Sequence, residues 1–346
     1  MIKPLTSLRF FFAFMVLLSH FPFPFNNVFY KIFSNGSVGV SFFFILSGFI
    51  LTHNYEARFA SGYNKQKFWL DRIIRIYPVH IIFLSFFALF FICSGNLFPN
   101  FFLKYLSHFF LIQNYIPIKD VYSNFNKPSW SICCELFFYF LFPFLVLRIR
   151  KNTLLFLILI LVFPIILYLI NNSGSMYIGI SPFFRLPDFI VGIFSYKIYT
   201  WAKPKFKDLS LLSTSVIEVA SIVILVSSLY LFSGMDYYRV FPIFWLPMVV
   251  FIIVMSLSTG TFSKIISHKI FIYLGEISYS IYMSHYLIIT LATTYLRDSI
   301  IFKNRISALL FIVLITIIIS SISYHLIEMK LGKKLKSFYY KKLKIS

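Results

Sequence analysis

Apolar positions fall along this chain in long blocks rather than in alternation. Phe, Ile and Leu dominate each block, and Lys, Arg, Asn and Pro gather between them. A helix that crosses roughly 30 Å of hydrocarbon needs about 20 mostly apolar residues. Ten stretches meet that need: 5–23, 37–54, 76–95, 129–147, 153–171, 183–200, 210–232, 239–258, 272–296 and 306–328. The pattern predicts an all-α, polytopic membrane helix bundle with about ten transmembrane helices. The stretch 97–114 is apolar but shorter and follows Pro99, so it is expected to lie in the interface or to re-enter the bilayer. The division that follows is a transmembrane domain over 1–330 and a basic tail over 331–346.

Composition supports this reading. The chain of 346 residues is 59% hydrophobic and only 12% charged. Soluble domains carry about 25% charged residues, so a water-facing surface cannot be built from this one. Disorder is excluded by the same apolar content. Lys and Arg number 32 against 11 Asp and Glu, a net charge of +21. Such a balance suits nucleic acid or an anionic membrane surface. The apolar content decides for membrane lipids, and no nucleic-acid partner is expected. Cys93, Cys133 and Cys134 lie inside apolar runs and show neither a disulfide framework nor a metal spacing, so no metal site is expected. The first stretch resembles a signal peptide but lacks a small-residue cleavage site, and it reads as an uncleaved first span.

Charge also orients the spans. With the N-terminus inside, 22 Lys and Arg fall in inner loops and 8 in outer ones. That asymmetry places both termini in the cytoplasm, by the positive-inside rule. The segment 331–345 alternates Lys with Leu, Phe, Tyr and Ile and reads as a helix on anionic headgroups or as a charged tail that stabilises topology.

Ionisable groups inside spans are costly, and each is a functional candidate. Arg9 and His20 are eleven positions apart. At about 100° per residue they share one face of the first helix, roughly 16 Å apart along it. Arg72 and Arg75 sit at i and i+3 where the third span leaves the cytoplasm. Two guanidinium forks there suit phosphate or diphosphate, or ordinary positive-inside anchoring. Ser129, Trp130 and Ser131 open the fourth span on the outer side, with Glu135 one to two turns deeper and Tyr139 below it. Glu135 could orient a histidine, bind a sugar hydroxyl, or pair with an Arg of another span. In the ninth span Ser278, Tyr282 and His285 share a face. Arg185 and Asp188 can pair at i, i+3, which favours a structural role, and Gly192 on the same face permits close helix contact.

Together these stretches resemble the acyltransferase family 3 integral-membrane acyltransferases, which O-acylate cell-surface and secreted glycans. The resemblance is carried by Arg9-x10-His20, by Phe42-Phe-Phe-Ile-Leu-Ser-Gly-Phe49 and by Arg72-Ile-Ile-Arg75-Ile-Tyr-Pro78. Pro128-Ser-Trp-Ser-Ile-Cys-Cys-Glu135-Leu-Phe-Phe-Tyr139 and Ile277-Ser-Tyr-Ser-Ile-Tyr-Met-Ser-His285 add to it. The last span closes on Tyr324-His-Leu-Ile-Glu328, where Met329-Lys330 replaces the family's basic residue and Pro.

The resemblance implies transfer of an acyl group, most often acetyl from acetyl-CoA, to a glycan hydroxyl. Acceptors of the family include lipid-linked O-antigen units, capsule and exopolysaccharide. Acetyl-CoA is then a co-substrate, and no permanently bound cofactor is expected. The expected location is a bacterial cytoplasmic (inner) membrane. In that reading Arg9, Arg72 and Arg75 hold the CoA phosphates, and His20 takes the proton of the attacking hydroxyl. Glu135 orients or charge-stabilises His20 or positions the acceptor. Ser129, Trp130, Ser278, Tyr282 and His285 are the candidates for acceptor contacts or the oxyanion. The competing class is a polysaccharide or lipid-linked sugar transporter, although the chain shows no paired half-sequences.

Overall fold

A computed structural model describes residues 2–21, 28–33, 36–170, 176–233, 235, 241–257 and 259–343. Among these the secondary structure is helical throughout, without strands. The chain divides into two compact units. One comprises Met1–Ser61, Phe144–Gly179 and Phe184–Ser278; the other comprises Gly62–Pro143, Ile180–Phe183 and Tyr279–Ser346.

The main helices are α1 (Lys3–His20), α2 (Gly36–Ala60), α3 (Lys65–Cys93), α4 (Phe101–Phe109), α5 (Trp130–Lys151) and α6 (Thr153–Ile170). They continue with α7 (Pro182–Phe206), α8 (Leu211–Leu231), α9 (Trp245–Leu257), α10 (Lys269–Glu276), α11 (Ser278–Tyr295), α12 (Arg305–Ser323) and α13 (Gly332–Leu343). Among the described residues five helical segments are long and apolar enough to cross a membrane: Gly36–Ala60, Lys65–Cys93, Lys127–Lys151, Leu211–Leu231 and Arg305–Leu343. Most described residues of each expected stretch are helical, and the exceptions lie at stretch ends or at the Ile277 junction. The ends of the first, fifth and eighth stretches extend beyond the described residues.

These helices are amphipathic in the sense that lipid demands. On α8, Leu212, Val216, Val219 and Val223 recur at helical spacing and are exposed, while Thr214, Glu218 and Ser221 are buried. On α12, Leu310, Leu314, Ile318 and Ile322 are exposed, while Thr316, Ser320 and Ser323 are buried. An apolar stripe facing outward over a polar interior is the reverse of a soluble helix.

In the first unit α1 lies against α10 and α2. Gly275 touches the backbone of α1 so closely that a Cβ there would stand 1.9 Å from the Thr6 carbonyl oxygen. Ser7 Oγ donates to the Ile266 carbonyl at 2.5 Å. Phe12 stacks on Phe42 with ring centres 3.6 Å apart. Where α2 crosses α7, Gly48 meets Gly192, and a Cβ on Gly192 would lie 2.0 Å from the Ile45 carbonyl oxygen. The close approach expected at Gly192 is present. Arg185 and Asp188 also pair as their spacing suggests, at 2.5 Å and with both side chains fully buried. Arg185 Nη2 donates to Ser41 Oγ at 2.6 Å, and Trp245 Nε1 donates to Asp188.

The stretch expected as one span at 272–296 is two helices, α10 and α11, which meet at Ile277. The Ser278 hydroxyl donates to the Gly275 carbonyl at 2.7 Å. A side chain that competes for a backbone acceptor at a helix junction helps to end the first helix and begin the second.

In the second unit Asn64 caps α3, its Oδ1 accepting from the Gln66 and Lys67 amides at 2.8 and 3.3 Å. The stretch 97–114 contains the short helix α4. Phe102 and Leu103 point outward, whereas Lys104, Ser107 and His108 are buried. Lys104 pairs with Asp120, and His80 Nε2 bonds the His108 carbonyl at 2.9 Å. Helix α12 runs on through a π-helical segment, Tyr324–Leu331, into α13.

Candidate functional site

In the first unit Arg9 and His20 are both half-buried on α1. Successive turns of α1 put them on one face, as their spacing requires. His20 Nδ1 lies 2.9 Å from the Val16 carbonyl oxygen. A carbonyl only accepts, so this bond places the ring proton on Nδ1 and the lone pair on Nε2. That is the tautomer a general base needs. Ser278 is fully buried, and its hydroxyl is engaged by Gly275 at the helix junction. The bond is local and accounts for the burial of Ser278 without a ligand.

In the second unit the first turns of α3 present Arg72 and Arg75. The Arg72 guanidinium stands over the rings of Phe68 and Tyr139, at 5.8 and 5.9 Å. Tyr139 OH donates to Glu135 Oε1, one turn along α5. Glu135, Glu328, Tyr139 and Tyr279 lie within electrostatic reach of Arg75, which is enclosed by the protein yet keeps accessible surface. Arg72, Arg75 and Glu135, three of the candidates, are therefore neighbours. Tyr279 anchors the wall, donating from its OH to the Ile76 carbonyl at 2.6 Å. Ser280 Oγ holds Glu328 Oε1 at 2.6 Å.

A second polar region forms where α5 begins. Ser129 is buried in a turn whose amide donates to the Asn126 carbonyl at 2.9 Å, and Trp130 is half-buried beside it. Tyr282 OH donates to the Pro128 carbonyl at 3.0 Å, and Ser131 Oγ donates to Tyr282 OH at 2.8 Å. His285 is fully buried one turn further along α11, its Nδ1 3.2 Å from the Ile281 carbonyl. Gln113, Asn114 and Asn126 are also fully buried here. Asn114 donates to the Ile180 carbonyl and Asn126 to the Met283 carbonyl. Ser129, Trp130, Tyr282 and His285 are thus grouped around α11.

A family model described as an acyltransferase domain, Acyl_transf_3, matches residues 4–325. The chain belongs to acyltransferase family 3. The similarity extends to named relatives. The O-acetyltransferase OatA of Staphylococcus aureus is 25% identical, over 87% of this chain and 53% of its own length. The peptidoglycan O-acetyltransferase OatA of Listeria monocytogenes is 27% identical, over 89% of this chain and 53% of its own. The acyltransferase MdmB of Streptomyces mycarofaciens is 34% identical over a shorter region, 34% of this chain. The chain spans about half the length of the two OatA proteins. No solved structure matches it.

For this acyltransferase family 3 member the structure adds residues that spacing alone does not disclose. Glu328, an ionisable residue inside the last expected span as well as its closing corner, lies in a π-helical turn beside Arg75. Such turns are frequent at functional sites. Ser280 and Ser284 form a second stripe on α11, each 3.0 Å from a serine of α12, Ser323 and Ser320. The spacing Ser280-x3-Ser284 is the signal that could have disclosed it. Among the described residues no group of three His, Cys, Asp or Glu is placed to hold a metal ion.

Proposed function

We propose that this membrane acyltransferase is an O-acetyltransferase that moves acetyl from acetyl-CoA to a hydroxyl of a cell-surface glycan. The observation that carries the reading is the arginine pair of α3. Arg75 keeps accessible surface while flanked by Glu135, Tyr139, Tyr279 and Glu328, and Arg72 stands beside it on Tyr139. Guanidinium forks suit phosphates, and a carboxylate and phenols beside them suit hydroxyl substrates. The O-acetyltransferase relatives, one of them a peptidoglycan O-acetyltransferase, support acetyl as the group moved and a glycan as acceptor.

The reaction forms a C–O bond and breaks a C–S bond. The acceptor oxygen attacks the thioester carbonyl. His20 Nε2 takes the hydroxyl proton and returns it to the departing CoA sulfur. Arg9, Arg72 and Arg75 hold donor phosphates. Glu135 positions the acceptor or supports positive charge. Tyr282, Ser129, Trp130 and His285 serve the acceptor or the oxyanion, whereas the Ser278 hydroxyl is spent on the Gly275 carbonyl. The setting is a bacterial cytoplasmic membrane, with about ten spans and both termini inside, supported by 22 inner against 8 outer cations.

The test compares surface glycans by mass spectrometry in strains with the unaltered gene, without it, and with His20→Ala. Acetyl esters should be present in the first strain and absent from the other two. Acetylation that persists with a well-inserted His20→Ala protein removes His20 from the reaction. Unchanged glycans on deleting the gene overturn the activity.

A further inference from the structure

Helix α13 plays no part in the reaction above. Its sequence, Gly-Lys-Lys-Leu-Lys-Ser-Phe-Tyr-Tyr-Lys-Lys-Leu, mixes cations with apolar side chains, as a lipid-lying helix does. In the structure one stripe of it is engaged with α3. Tyr340 OH donates to Asp71 Oδ1 at 2.8 Å, and Lys336 Nζ pairs with the same oxygen at 2.8 Å. Lys67 Nζ stands 5.2 Å from the centre of the Tyr340 ring. At the other end a Cβ on Gly332 would lie 4.0 Å from Ile74 Cγ2. Gly332 is therefore level with Ile74, and Tyr340 with Asp71 and Lys67. Helix α13 runs antiparallel along the turns of α3 that carry Arg72 and Arg75.

Gly332, Lys336 and Tyr340 recur every four positions and make the docked stripe. Lys333, Lys334, Lys341 and Lys342 stay exposed. Asp71 precedes Arg72 in the chain and would weaken an anion site there if its charge were unspent. Lys336 and Tyr340 take up that charge. With Lys336 spent on Asp71, the further cations along these two helices are Lys67, Arg72 and Arg75 on α3 and the exposed Lys333 and Lys334 on α13.

An acyl-CoA is anionic in two places, its diphosphate and the 3′-phosphate of its adenosine. Two guanidiniums at i and i+3 form one compact site, not two. We propose that α13 is a second wall of the donor site: its lysines hold the phosphorylated nucleoside end of acyl-CoA, and Asp71 is the latch that keeps the helix in place. This inference rests on the donor reading above. The chemistry recognised is a phosphate ester, which an anionic lipid headgroup also offers.

The test uses the full chain in phosphatidylcholine vesicles and measures the affinity of CoA, 3′-dephospho-CoA and pantetheine. The unaltered protein should prefer CoA to its dephospho form. The combined substitution Lys333→Gln, Lys334→Gln and Lys336→Gln should weaken CoA binding by about three- to tenfold and remove that preference. Asp71→Asn should act in the same direction, and Lys336→Arg should retain the affinity. A preference for CoA that survives the triple substitution overturns the proposal. So does an equal loss of pantetheine affinity. A third overturning result is unchanged CoA affinity with an altered response only to added phosphatidylglycerol, since the lysines would then read headgroups. If Arg72→Ala and Arg75→Ala weaken CoA while the lysine variants do not, this inference alone falls. If the unaltered protein does not bind CoA, the donor reading falls with it.

Discussion

Ser280 Oγ donates a hydrogen bond of 2.6 Å to Glu328 Oε1, joining α11 to the π-helical segment that follows α12. The contact fixes one carboxylate near Arg75, and Glu135, steadied by Tyr139, is a second one near it. Two carboxylates thus lie near Arg75 and can hold its guanidinium in position.

Glu328→Gln keeps the shape of that side chain and removes its charge. Acetyl transfer is expected to fall by about tenfold, which corresponds to ~1.4 kcal/mol of transition-state stabilisation. Ser280→Ala should cause a smaller loss of the same kind. Initial rates with acetyl-CoA, normalised to folded protein, check this. An unchanged rate in Glu328→Gln would reduce Glu328 to a packing role.

The Arg185–Asp188 pair should behave as a structural unit. Both partners are fully buried, and Ser41 and Trp245 each add a hydrogen bond to them. Removing one charge strands the other, at a typical cost of roughly 3–5 kcal/mol. Asp188→Leu should therefore collapse the detergent-stable yield. The double variant Arg185→Met with Asp188→Leu should recover part of it. Size-exclusion recovery and thermal unfolding of the three proteins measure the difference.

Glu218 offers a second structural test. Its carboxylate accepts from the amides of Gly260, Phe262 and Ser263 at 2.9, 2.9 and 3.2 Å, and from the Ser263 hydroxyl. One side chain of α8 thus caps the start of a neighbouring helical turn. Glu218→Ala leaves several buried donors unpaired, for an expected loss of about 2–4 kcal/mol. The unfolding temperature should drop clearly, whereas CoA affinity of the remaining folded protein should not change.

Acid should loosen α4. Burial is the main force that pushes the His108 imidazole down from its ordinary 6.5 to about 4. His108 is therefore neutral in the fold, while the unfolded chain takes up its proton first. The stability this group supports is complete above its ordinary value and is lost as pH falls from 6.5 toward about 4. Thermal unfolding of the detergent-solubilised chain should show that slope, and His108→Gln should flatten it. Identical slopes for the two proteins would refute the assignment.

Much of this molecule was legible because its cues are local. Apolar blocks disclose helices, and the i, i+3 spacing of Arg185 and Asp188 discloses their pair. Gly192 discloses a close crossing because a missing side chain matters wherever helices meet. What stayed hidden depends on distant pairing. Ser280 meets Glu328 across 48 positions, Glu218 meets Gly260 across 42, and Tyr340 meets Asp71 across 269. No periodicity connects such residues. The break at Ile277 was hidden for another reason, since hydrophobicity is continuous through it and only the Ser278 side chain marks the junction. Of the candidate site, the arginine spacing and the Ser129–Glu135 run could be read directly. The nearness of Glu135 and Glu328 to Arg75 could not.

The wide turns of Tyr324–Leu331 have one more consequence, which concerns length rather than chemistry. A π-helical turn bonds one residue further back than an α-helical turn, so it absorbs an extra residue in an otherwise continuous helix. Deleting a single residue between Tyr324 and Leu331 would therefore let the segment relax to ordinary pitch with the faces after it kept, whereas one residue added to α12, with no further wide turn to absorb it, would rotate everything after it by about 100°. Lys336 and Tyr340 would then turn away from Asp71 with the sequence of α13 unaltered. The register of one short segment thus sets which face the last helix shows to its neighbour.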